Sequence, residues 1–392
     1  MQISSRIAAV AESPTLALNA KAMELKSKGV DVVNFTVGEP DFDTPENVKQ
    51  AAIDAIRSGF TKYTPVAGIP ELRKAIAQKL KAENFLEYTP EQVIVSCGGK
   101  HALFNAFQAL CNPNDEVIIP APYWVTYPEQ VKLAGAKPVF ARTDASNGFR
   151  LKAEDIDRCV TTKTKAVIVN SPNNPTGAVY EAKELKKIAS LAAEDGFYII
   201  SDEIYEHLVY DGGHASAAGF GKDARERTII INGASKTYAM TGWRIGWAAG
   251  PLDVVKAMCR LQSQVTSNAN SIAQKAYLEA LTGTKEPLRA MAAEFRRRRD
   301  MLIKGLNAID GITCAKPNGA FYAFPSIAGC LKGSIRNSMD FSMELLDKAR
   351  VAVVPGSEFG AEGHIRISYA CSTDAIAEGL KRIAEFVRSQ KC

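Results

Sequence analysis

Short apolar runs alternate with helical patterns between about residue 93 and residue 250 of the chain. The runs include VIVS, DEVIIP, PVFA, KAVIVN, FYIISDE, RTIIING and IGWAAG, and helical segments such as GKHALFNAFQAL and EAKELKKIASLAAEDG lie between them. This alternation predicts βαβ units. Several runs are apolar at nearly every position, as in strands that helices cover on both faces. We therefore predict a mostly parallel α/β sheet, with ligands at the carboxyl ends of its strands.

The two ends of the chain follow a different pattern. After about residue 285 come the charged helical segment AMAAEFRRRRDMLIKGLNAI and the short strand patterns AFYAF, VAVVP and HIRISYA. Since no linker rich in Pro, Ser or Gly separates the regions, we expect two packed domains with a site between them. We predict an N-terminal arm and part of a small α+β domain at 1–46, a large domain at 47–284 and the rest of the small domain at 285–392.

Four consecutive arginines, Arg296 to Arg299, lie in the charged helical segment. A helix spreads consecutive residues around its circumference. We therefore predict that these arginines face solvent or a partner subunit.

Composition and charge narrow the possible partners. The 392 residues are 46% hydrophobic and 23% charged, and 48 Lys and Arg against 43 Asp and Glu give a net charge of +5. These values are typical of globular proteins and give no support to a nucleic-acid partner. No apolar run approaches the roughly 18–20 residues of a membrane span, and the apolar stretch near the N-terminus is shorter than a signal-peptide core of about 7–15 residues. We expect a cytoplasmic protein without a membrane partner.

Several chemistries lack their sequence motifs. The chain has no H-E-x-x-H, no G-x-x-x-x-G-K-[ST] and no S-x-x-K,. Its eight cysteines form no C-x-x-C pair and show neither a zinc-ligand spacing nor a disulfide framework, so we predict reduced thiols and no metal site,. Four histidines leave a Ser-His-Asp site possible but unsupported,.

Polar side chains follow the apolar runs at the points where the predicted strands end. Asn174 in SPNNPTG follows KAVIVN, and Asp202 and Tyr205 in SDEIY follow FYII. Lys236 in NGASKTYAMTGWRIG follows RTIII. Because these ends meet at one edge of a parallel sheet, we expect the side chains to converge there. The Gly98-Gly99-Lys100 turn after VIVS opens a helix, where backbone N–H groups favour an anion such as phosphate,.

Lys236, Asp202 and Arg244 have the properties that pyridoxal phosphate requires. A lysine at a buried strand end loses solvation, which lowers its pKa and makes its amine a nucleophile for Schiff-base formation. Arg244, eight residues after Lys236, can bind a phosphate with its guanidinium fork,. Asp202 can lie against a protonated ring nitrogen. These are the three contacts that the cofactor needs.

Four motifs in this order, SPNNPTG, SDEIY, NGASKTYAMTGWRIG and HIRISYA, resemble the signature series of class I aminotransferases of pyridoxal-phosphate fold type I. The resemblance extends from VGEPDFDTP at Val37 to RISYA near residue 370. It implies a mostly parallel seven-stranded sheet covered by helices, in a large domain that binds pyridoxal phosphate, with a smaller α+β domain beside it. It also implies a homodimer with shared active sites.

The resemblance assigns roles to particular residues. Lys236 is then the Schiff-base lysine and the proton carrier, and Asp202 pairs with the pyridine nitrogen. Asn174 and Tyr205 hydrogen-bond the phenolic oxygen of the ring, on which Trp124 in APYWVTYP stacks. The implied phosphate contacts are Arg244, the Gly98 and Gly99 amides, Ser235 in place of a hydroxyl that another subgroup carries at Gly233, and Tyr63 in KYTPVAGIPELR from the neighbouring subunit.

The substrate contacts follow from the same resemblance. Arg366 in HIRISYA takes the α-carboxylate of the amino acid, a task suited to a planar fork. Gly38 in VGEP, Trp124 and Asn174 line the pocket. Lys100 resembles the lysine that meets the distal carboxylate in the bacterial aspartate aminotransferase subgroup with a GGK motif; its alternative role is a contact with phosphate or solvent. We therefore predict amino-group transfer between aspartate and 2-oxoglutarate, giving oxaloacetate and glutamate.

Other activities stay open at this point. Prephenate transamination is the main alternative, because a dicarboxylate with a ring can use the same Arg366 and Lys100, with Thr44 in FDTP as an added contact. An aromatic or alanine aminotransferase, or a carbon–sulfur β-lyase, is a further alternative. A ligand-sensing domain of a transcription regulator would follow a winged-helix domain, and only a short segment precedes VGEP.

Overall fold

The computed structural model of the protein describes residues 3–10 and 14–390. Within these ranges the strands form a seven-stranded, a three-stranded and a two-stranded sheet. The strands are β1 (Val33–Asn34), β2 (Val93–Ser96), β3 (Glu116–Ala121), β4 (Lys137–Arg142), β5 (Thr164–Asn170), β6 (Tyr198–Asp202), β7 (Thr228–Gly233), β8 (Gly246–Ala249), β9 (Tyr322–Ala323), β10 (Val351–Ala352), β11 (Val354–Pro355) and β12 (Ile365–Ser368).

The seven-stranded sheet has the order β2-β8-β7-β6-β5-β3-β4. Strand β8 runs antiparallel to β2 and β7, and the other neighbouring pairs are parallel. Strands β2, β3, β7 and β8 are buried along their whole length, which explains why their sequences are apolar without alternation,. The predicted mostly parallel sheet and its fold class are confirmed.

Helices pack on both faces of this sheet. Their amphipathic patterns bury one side each, and none of the described helices combines the length and the apolar character that crossing a membrane needs,. The helices are α1 (Ser5–Ala8), α2 (Pro14–Ser27), α3 (Glu46–Arg57), α4 (Pro70–Asn84), α5 (Gly99–Leu110), α6 (Thr126–Leu133), α7 (Ala153–Asp157), α8 (Ala182–Asp195), α9 (Lys222–Arg227), α10 (Ala234–Thr237), α11 (Leu252–Val265), α12 (Ser271–Thr282), α13 (Glu286–Leu306), α14 (Ser338–Ala349) and α15 (Thr373–Ser389).

Strand β2 shows how the two faces are covered. Val93 and Val95 pack in a hydrophobic cluster with residues of α4 and α12. Ile94, between them, packs in another cluster with residues of α5 and α11. Since successive side chains of a strand point to opposite faces, both faces of the sheet lie inside the core.

The two ends of the chain share a core of their own. Val33 and Phe35 pack in one cluster with residues of α13, α14 and α15. Strand β1 pairs with β10 in parallel, and β12 pairs antiparallel with β9 and β11. The predicted domain boundaries, near residues 46 and 284, stay predictions.

Two arginines of the run in α13 do not lie where the sequence predicts. Arg299 is fully buried, and its Nη1 donates to Asp211 Oδ2 at 2.6 Å. Arg298 is also buried, and its Nη1 donates to Asp41 Oδ1 at 2.7 Å. The predicted surface position is wrong for these two residues, because Asp41 and Asp211, which pair with them, come from distant parts of the chain. The first two arginines of the run are exposed.

We expect Arg299→Ala to lower the free energy of unfolding by roughly 2–4 kcal/mol, because it removes a buried cation and the packing of its guanidinium over the Tyr210 ring,. Urea denaturation of the variant measures this loss. Arg297→Ala is the matched control: Arg297 is exposed and, among the described residues, pairs with Glu294 of its own helix alone, so the change should stay within about 0.5 kcal/mol,. Equal losses in both variants would contradict the structural role of Arg299.

Candidate active site

The ends of three parallel strands align at one edge of the large sheet. Asn170 of β5 pairs in register with Asp202 of β6, and Asp202 pairs with Ile231 of β7. Helix α10 begins directly after β7 and carries Lys236. The shared register therefore brings Asp202 and Lys236 to the same edge, as the sequence predicts.

Lys236 is the central lysine of this edge. Its Nζ donates a hydrogen bond to the Gly38 carbonyl oxygen at 2.6 Å. Burial is the largest influence and lowers the pKa of Lys236 to about 8, although the Glu39 carboxylate opposes this shift. The positive charge of Arg244 adds to the lowering. At neutral pH this amine is therefore far easier to deprotonate than an ordinary lysine, and it can both hold and release a proton.

Asp202 is 4% exposed and receives two hydrogen bonds. The Tyr127 hydroxyl donates to its Oδ2 at 2.7 Å, and the Ile204 backbone N–H donates to its Oδ1 at 3.3 Å. Burial raises the pKa of Asp202 to about 6, while both hydrogen bonds oppose the rise. Above that pH the carboxylate is charged and suits a protonated nitrogen.

Arg366 lies deep in the same site, with 4% of its surface exposed. Its Nη1 donates to Asn174 Oδ1 at 3.0 Å, and its Nη2 donates to the Thr36 carbonyl oxygen at 2.8 Å. The guanidinium lies 4.6 Å from the Tyr322 ring centroid and 5.1 Å from that of Phe359. Its Nε is buried and has no hydrogen-bond partner among the described residues. This free donor is available to a carboxylate, the natural partner of a guanidinium fork.

Tyr205 and Gly38 both lie close to the hydroxyl group of Tyr322. The Tyr205 and Tyr322 hydroxyls are 2.9 Å apart. A Cβ added at Gly38 would lie 2.9 Å from the Tyr322 hydroxyl oxygen, so the close approach of this backbone requires glycine,. The structure thus places Gly38, Tyr205 and Arg366 around one aromatic ring.

A second group of predicted residues lies at the start of α5. Gly98 has a φ of 91°, and a Cβ there would lie 2.8 Å from Arg244 Nη2. The Gly98 N–H already donates to the Ser96 carbonyl oxygen at 2.8 Å. The first amides of the helix, from Gly99 and Lys100, therefore lie beside the exposed guanidinium of Arg244 and form an anion-binding arrangement,.

Lys100 and Trp124 lie at the solvent-facing rim of the candidate site. Lys100 is exposed, and its Nζ is 5.0 Å from the centroid of the Trp124 ring. Loss of solvation around the ammonium, followed by repulsion from Arg244, lowers the pKa of Lys100. A cation held over an aromatic face is available to a second anionic group of a ligand.

The remaining predicted residues differ in their surroundings. Ser235 is buried in α10 directly before Lys236. Tyr63 is 91% exposed. The Thr44 hydroxyl donates to the Ala239 carbonyl oxygen at 2.8 Å and accepts from Trp243 Nε1 at 2.9 Å, so both of these bonds hold it to its own chain.

Sequence reasoning missed several groups of this site. Tyr127 and Tyr322 contact predicted residues directly, and the Thr36 carbonyl and the Asn170 side chain hold Arg366 and Asn174 in place. Tyr127 lies in the APYWVTYP motif that carries Trp124, which was an available signal. A backbone carbonyl such as that of Thr36 leaves no signal in the sequence.

Two further carboxylates lie beside this site in the SDEIYEH stretch. The ligand atoms of Glu203, Glu206 and His214 lie within 4.8 Å of one another. Glu206 forms a buried ion pair with Lys79. Burial alone would raise the pKa of Glu206, but the charges of Lys79 and His207 outweigh it and hold the pKa below its usual range. Lys79 thus balances this charge from within the chain, and the absence of a metal site stays a prediction.

The family model described as "Aminotransferase class I and II" matches residues 30–383. The chain belongs to this family. It is 51% identical to the aspartate/prephenate aminotransferase of Thermus thermophilus, over 97% of this chain and 98% of that protein. It is 46% identical to the aspartate aminotransferase of Bacillus subtilis, over 99% of both.

Solved structures of aminotransferases have the same fold. An aspartate aminotransferase of Rhizobium meliloti superposes with a TM-score of 0.96 at 45% identity, over 99% of both chains. The aspartate aminotransferase of Thermus thermophilus with maleate superposes with a TM-score of 0.93 at 50% identity, over 98% of this chain and 99% of that chain. The predicted enzyme class is thereby confirmed. Aminotransferases act on amino acids and 2-oxo acids, and this family uses pyridoxal phosphate.

We expect Asp202→Asn to stabilise the cofactor-free protein at alkaline pH. The folded pKa of about 6 exceeds the ordinary value of 3.8, so the ionised carboxylate costs stability above that pH and the cost disappears as the pH falls,. The gain should grow between about pH 4 and pH 7 and reach roughly 1–3 kcal/mol. Denaturation curves of both proteins at several pH values measure it. An equal loss of stability at every pH would show that lost hydrogen bonds outweigh the buried charge.

Proposed function

We propose that this chain is an aspartate aminotransferase, which transfers an amino group from aspartate to 2-oxoglutarate and gives oxaloacetate and glutamate. The observation that carries the proposal is the presence of two separate cations, buried Arg366 and exposed Lys100, around a site that also contains Lys236. A dicarboxylic amino acid has two negative groups for these cations and an amine for the chemistry at Lys236. The names of the relatives support this substrate, as does maleate, itself a dicarboxylate, in the Thermus thermophilus structure.

The residues of the site fit pyridoxal phosphate. Arg244 and the Gly99 and Lys100 amides form a site for its phosphate, with Gly98 shaping the turn and Ser235 close by,. Asp202 offers a carboxylate to the ring nitrogen. The other ring contacts in this proposal are Asn174 and Tyr205 to the phenolic oxygen and Trp124 to the ring face. When bound, pyridoxal phosphate supplies an aldehyde that reacts with amines and a ring that withdraws electrons from the substrate Cα.

Lys236 Nζ is the group that moves protons in this proposal. Its pKa of about 8 lies close to neutral pH, where general bases are most effective,. Nζ takes the Cα proton from the amino acid in the first half of the exchange, and it returns a proton to Cα of the new amino acid in the second half. The charge of Asp202, with a pKa of about 6, is in place at the same pH.

Arg366 orients the substrate. Asn174 and Thr36 hold two of its nitrogens, so the guanidinium cannot turn away when a carboxylate approaches. The unpartnered Nε and the edge of the fork then bind the α-carboxylate,. Gly38, whose carbonyl oxygen accepts from Lys236, lines the pocket with its backbone.

We also propose a cytoplasmic homodimer with shared sites. Tyr63 is exposed over almost its whole surface, which suits a ring that contacts the phosphate in the neighbouring subunit. Ile53 and Ile56 of the nearby helix α3 are large, exposed apolar residues, and such residues are common at interfaces between copies,.

Prephenate transamination is the second candidate function. It is favoured by relatives that are named aspartate/prephenate aminotransferases, such as the Thermus thermophilus enzyme. Prephenate also carries two carboxylates for Arg366 and Lys100. Thr44 contributes less support, because its hydroxyl already bonds to Ala239 and Trp243.

Purified enzyme with pyridoxal phosphate tests the proposal directly. We expect it to convert aspartate and 2-oxoglutarate to oxaloacetate and glutamate, and Lys236→Ala should keep less than about 1% of this rate because one lysine anchors the cofactor and moves the protons. Lys186→Ala, at an exposed lysine of α8, is the control and should be fully active. Coupled assays of oxaloacetate measure the rates. Faster turnover of prephenate than of 2-oxoglutarate would favour the second candidate, and no transfer from aspartate would contradict the first.

Lys100→Ala separates a dicarboxylate enzyme from a general one. For aspartate and glutamate, kcat/KM should fall by about 10- to 100-fold, because the variant loses a cation that water partly screens at this exposed position,. Alanine and phenylalanine have no distal charge and should be almost unaffected. An equal loss for all four substrates would show that Lys100 serves the phosphate instead.

A further inference from the structure

Tyr127 donates the one side-chain hydrogen bond that Asp202 receives within the described part of the chain. The bond runs from the hydroxyl to Oδ2 and is 2.7 Å long. The other donor is the Ile204 backbone N–H, which reaches Oδ1 at 3.3 Å. Because the two bonds use different oxygens, the carboxylate is held at both ends, more tightly at Oδ2.

The fold places Tyr127 rigidly. It lies in the first turn of α6, and its backbone N–H donates to the Trp124 carbonyl oxygen at 3.0 Å. The Trp124 and Tyr127 rings meet edge to face, with centroids 5.4 Å apart and planes at 89°. Tyr127 is 1% exposed, so its hydroxyl is shielded from bulk solvent. One turn of chain thus fixes both the candidate ring-stacking tryptophan and the donor to Asp202.

The charges around Asp202 make this donor important. Glu203, directly after β6, disfavours the ionised form of Asp202, and Lys236 of α10 favours it more weakly than the bonds from Tyr127 and Ile204 do. No ion pair joins Asp202 to a basic side chain of residues 3–10 or 14–390. Burial raises the pKa of Tyr127 well above its usual value, so its hydroxyl keeps its proton across the working pH range. The buried Tyr205 hydroxyl, on the next turn, likewise stays neutral.

We propose that Tyr127 is a positioning residue for the ring nitrogen of the cofactor: its hydroxyl holds Asp202 by Oδ2 and keeps the carboxylate ionised, as a partner of the protonated ring nitrogen would have to be. This inference rests on the proposed function, since it concerns the same cofactor site. It assigns the protonation of the ring to a pair, Tyr127 and Asp202, instead of to the carboxylate alone.

Tyr127→Phe tests the pair because it removes the hydroxyl and keeps the ring that packs on Trp124. Without the donor the pKa of Asp202 rises further, so the proton between the ring nitrogen and the carboxylate moves from the nitrogen toward the oxygen of Asp202,. The ¹⁵N resonance of bound ¹⁵N-labelled pyridoxal phosphate should therefore move toward that of the unprotonated ring near neutral pH, and kcat should fall about tenfold or more. Tyr277→Phe removes a hydroxyl from a buried tyrosine that bonds Trp247, and its ¹⁵N titration should match that of the parent.

The ¹⁵N titrations test the role of Tyr127 separately from the proposed function. A ¹⁵N titration of Tyr127→Phe that equals the parent's would overturn the inference and leave the proposed function standing, even if the variant is less stable or slower. The same displacement in Tyr277→Phe would also overturn it, because the effect would then be a general loss of packing. A parent protein that does not bind the labelled cofactor would refute the proposed function and this inference together.

Discussion

The guanidinium of Arg366 joins three parts of the chain that are far apart in the sequence. It extends from β12, donates to the Thr36 carbonyl near the beginning of the chain and donates to Asn174 in the loop after β5. A buried cation is costly unless its nitrogens are hydrogen-bonded, so these segments must meet for the folded state to accept it. Arg366 therefore reaches its buried position only once both chain ends have packed against the large sheet.

Burial also sets the protonation chemistry of Lys236 and Asp202. It moves the pKa of Lys236 down to about 8 and the pKa of Asp202 up to about 6, so both shifts favour the neutral forms. Neutral pH lies between the two values, where the lysine exchanges protons easily and the carboxylate keeps its charge. The loss of water around these two side chains thus destabilises their charged forms and brings both pKa values close to neutral pH, where proton transfer is most effective,.

Much of this arrangement follows from local sequence. The apolar runs give the strands, and the polar residues after them, such as Asp202 and Lys236, come together because parallel strands end at one edge. The burial of Arg299 cannot be predicted from local sequence, because it depends on Asp211, which is far away in the chain. Tyr127 was missed for the same reason, since only the fold brings its hydroxyl to Asp202. The individual roles of the site residues and the domain boundaries stay predictions.

The contrast between Arg366 and Lys100 has a consequence for how such enzymes diversify. The arginine is embedded in the core and bonded on two sides, whereas Lys100 is exposed and rests on an aromatic face. Replacing an exposed side chain costs little folding free energy, so Lys100, the proposed contact of the distal carboxylate, can change through single substitutions. Arg366, the proposed contact of the α-carboxylate, is instead fixed by its hydrogen bonds within the core. Laboratory evolution toward new amino acids should therefore begin at the rim.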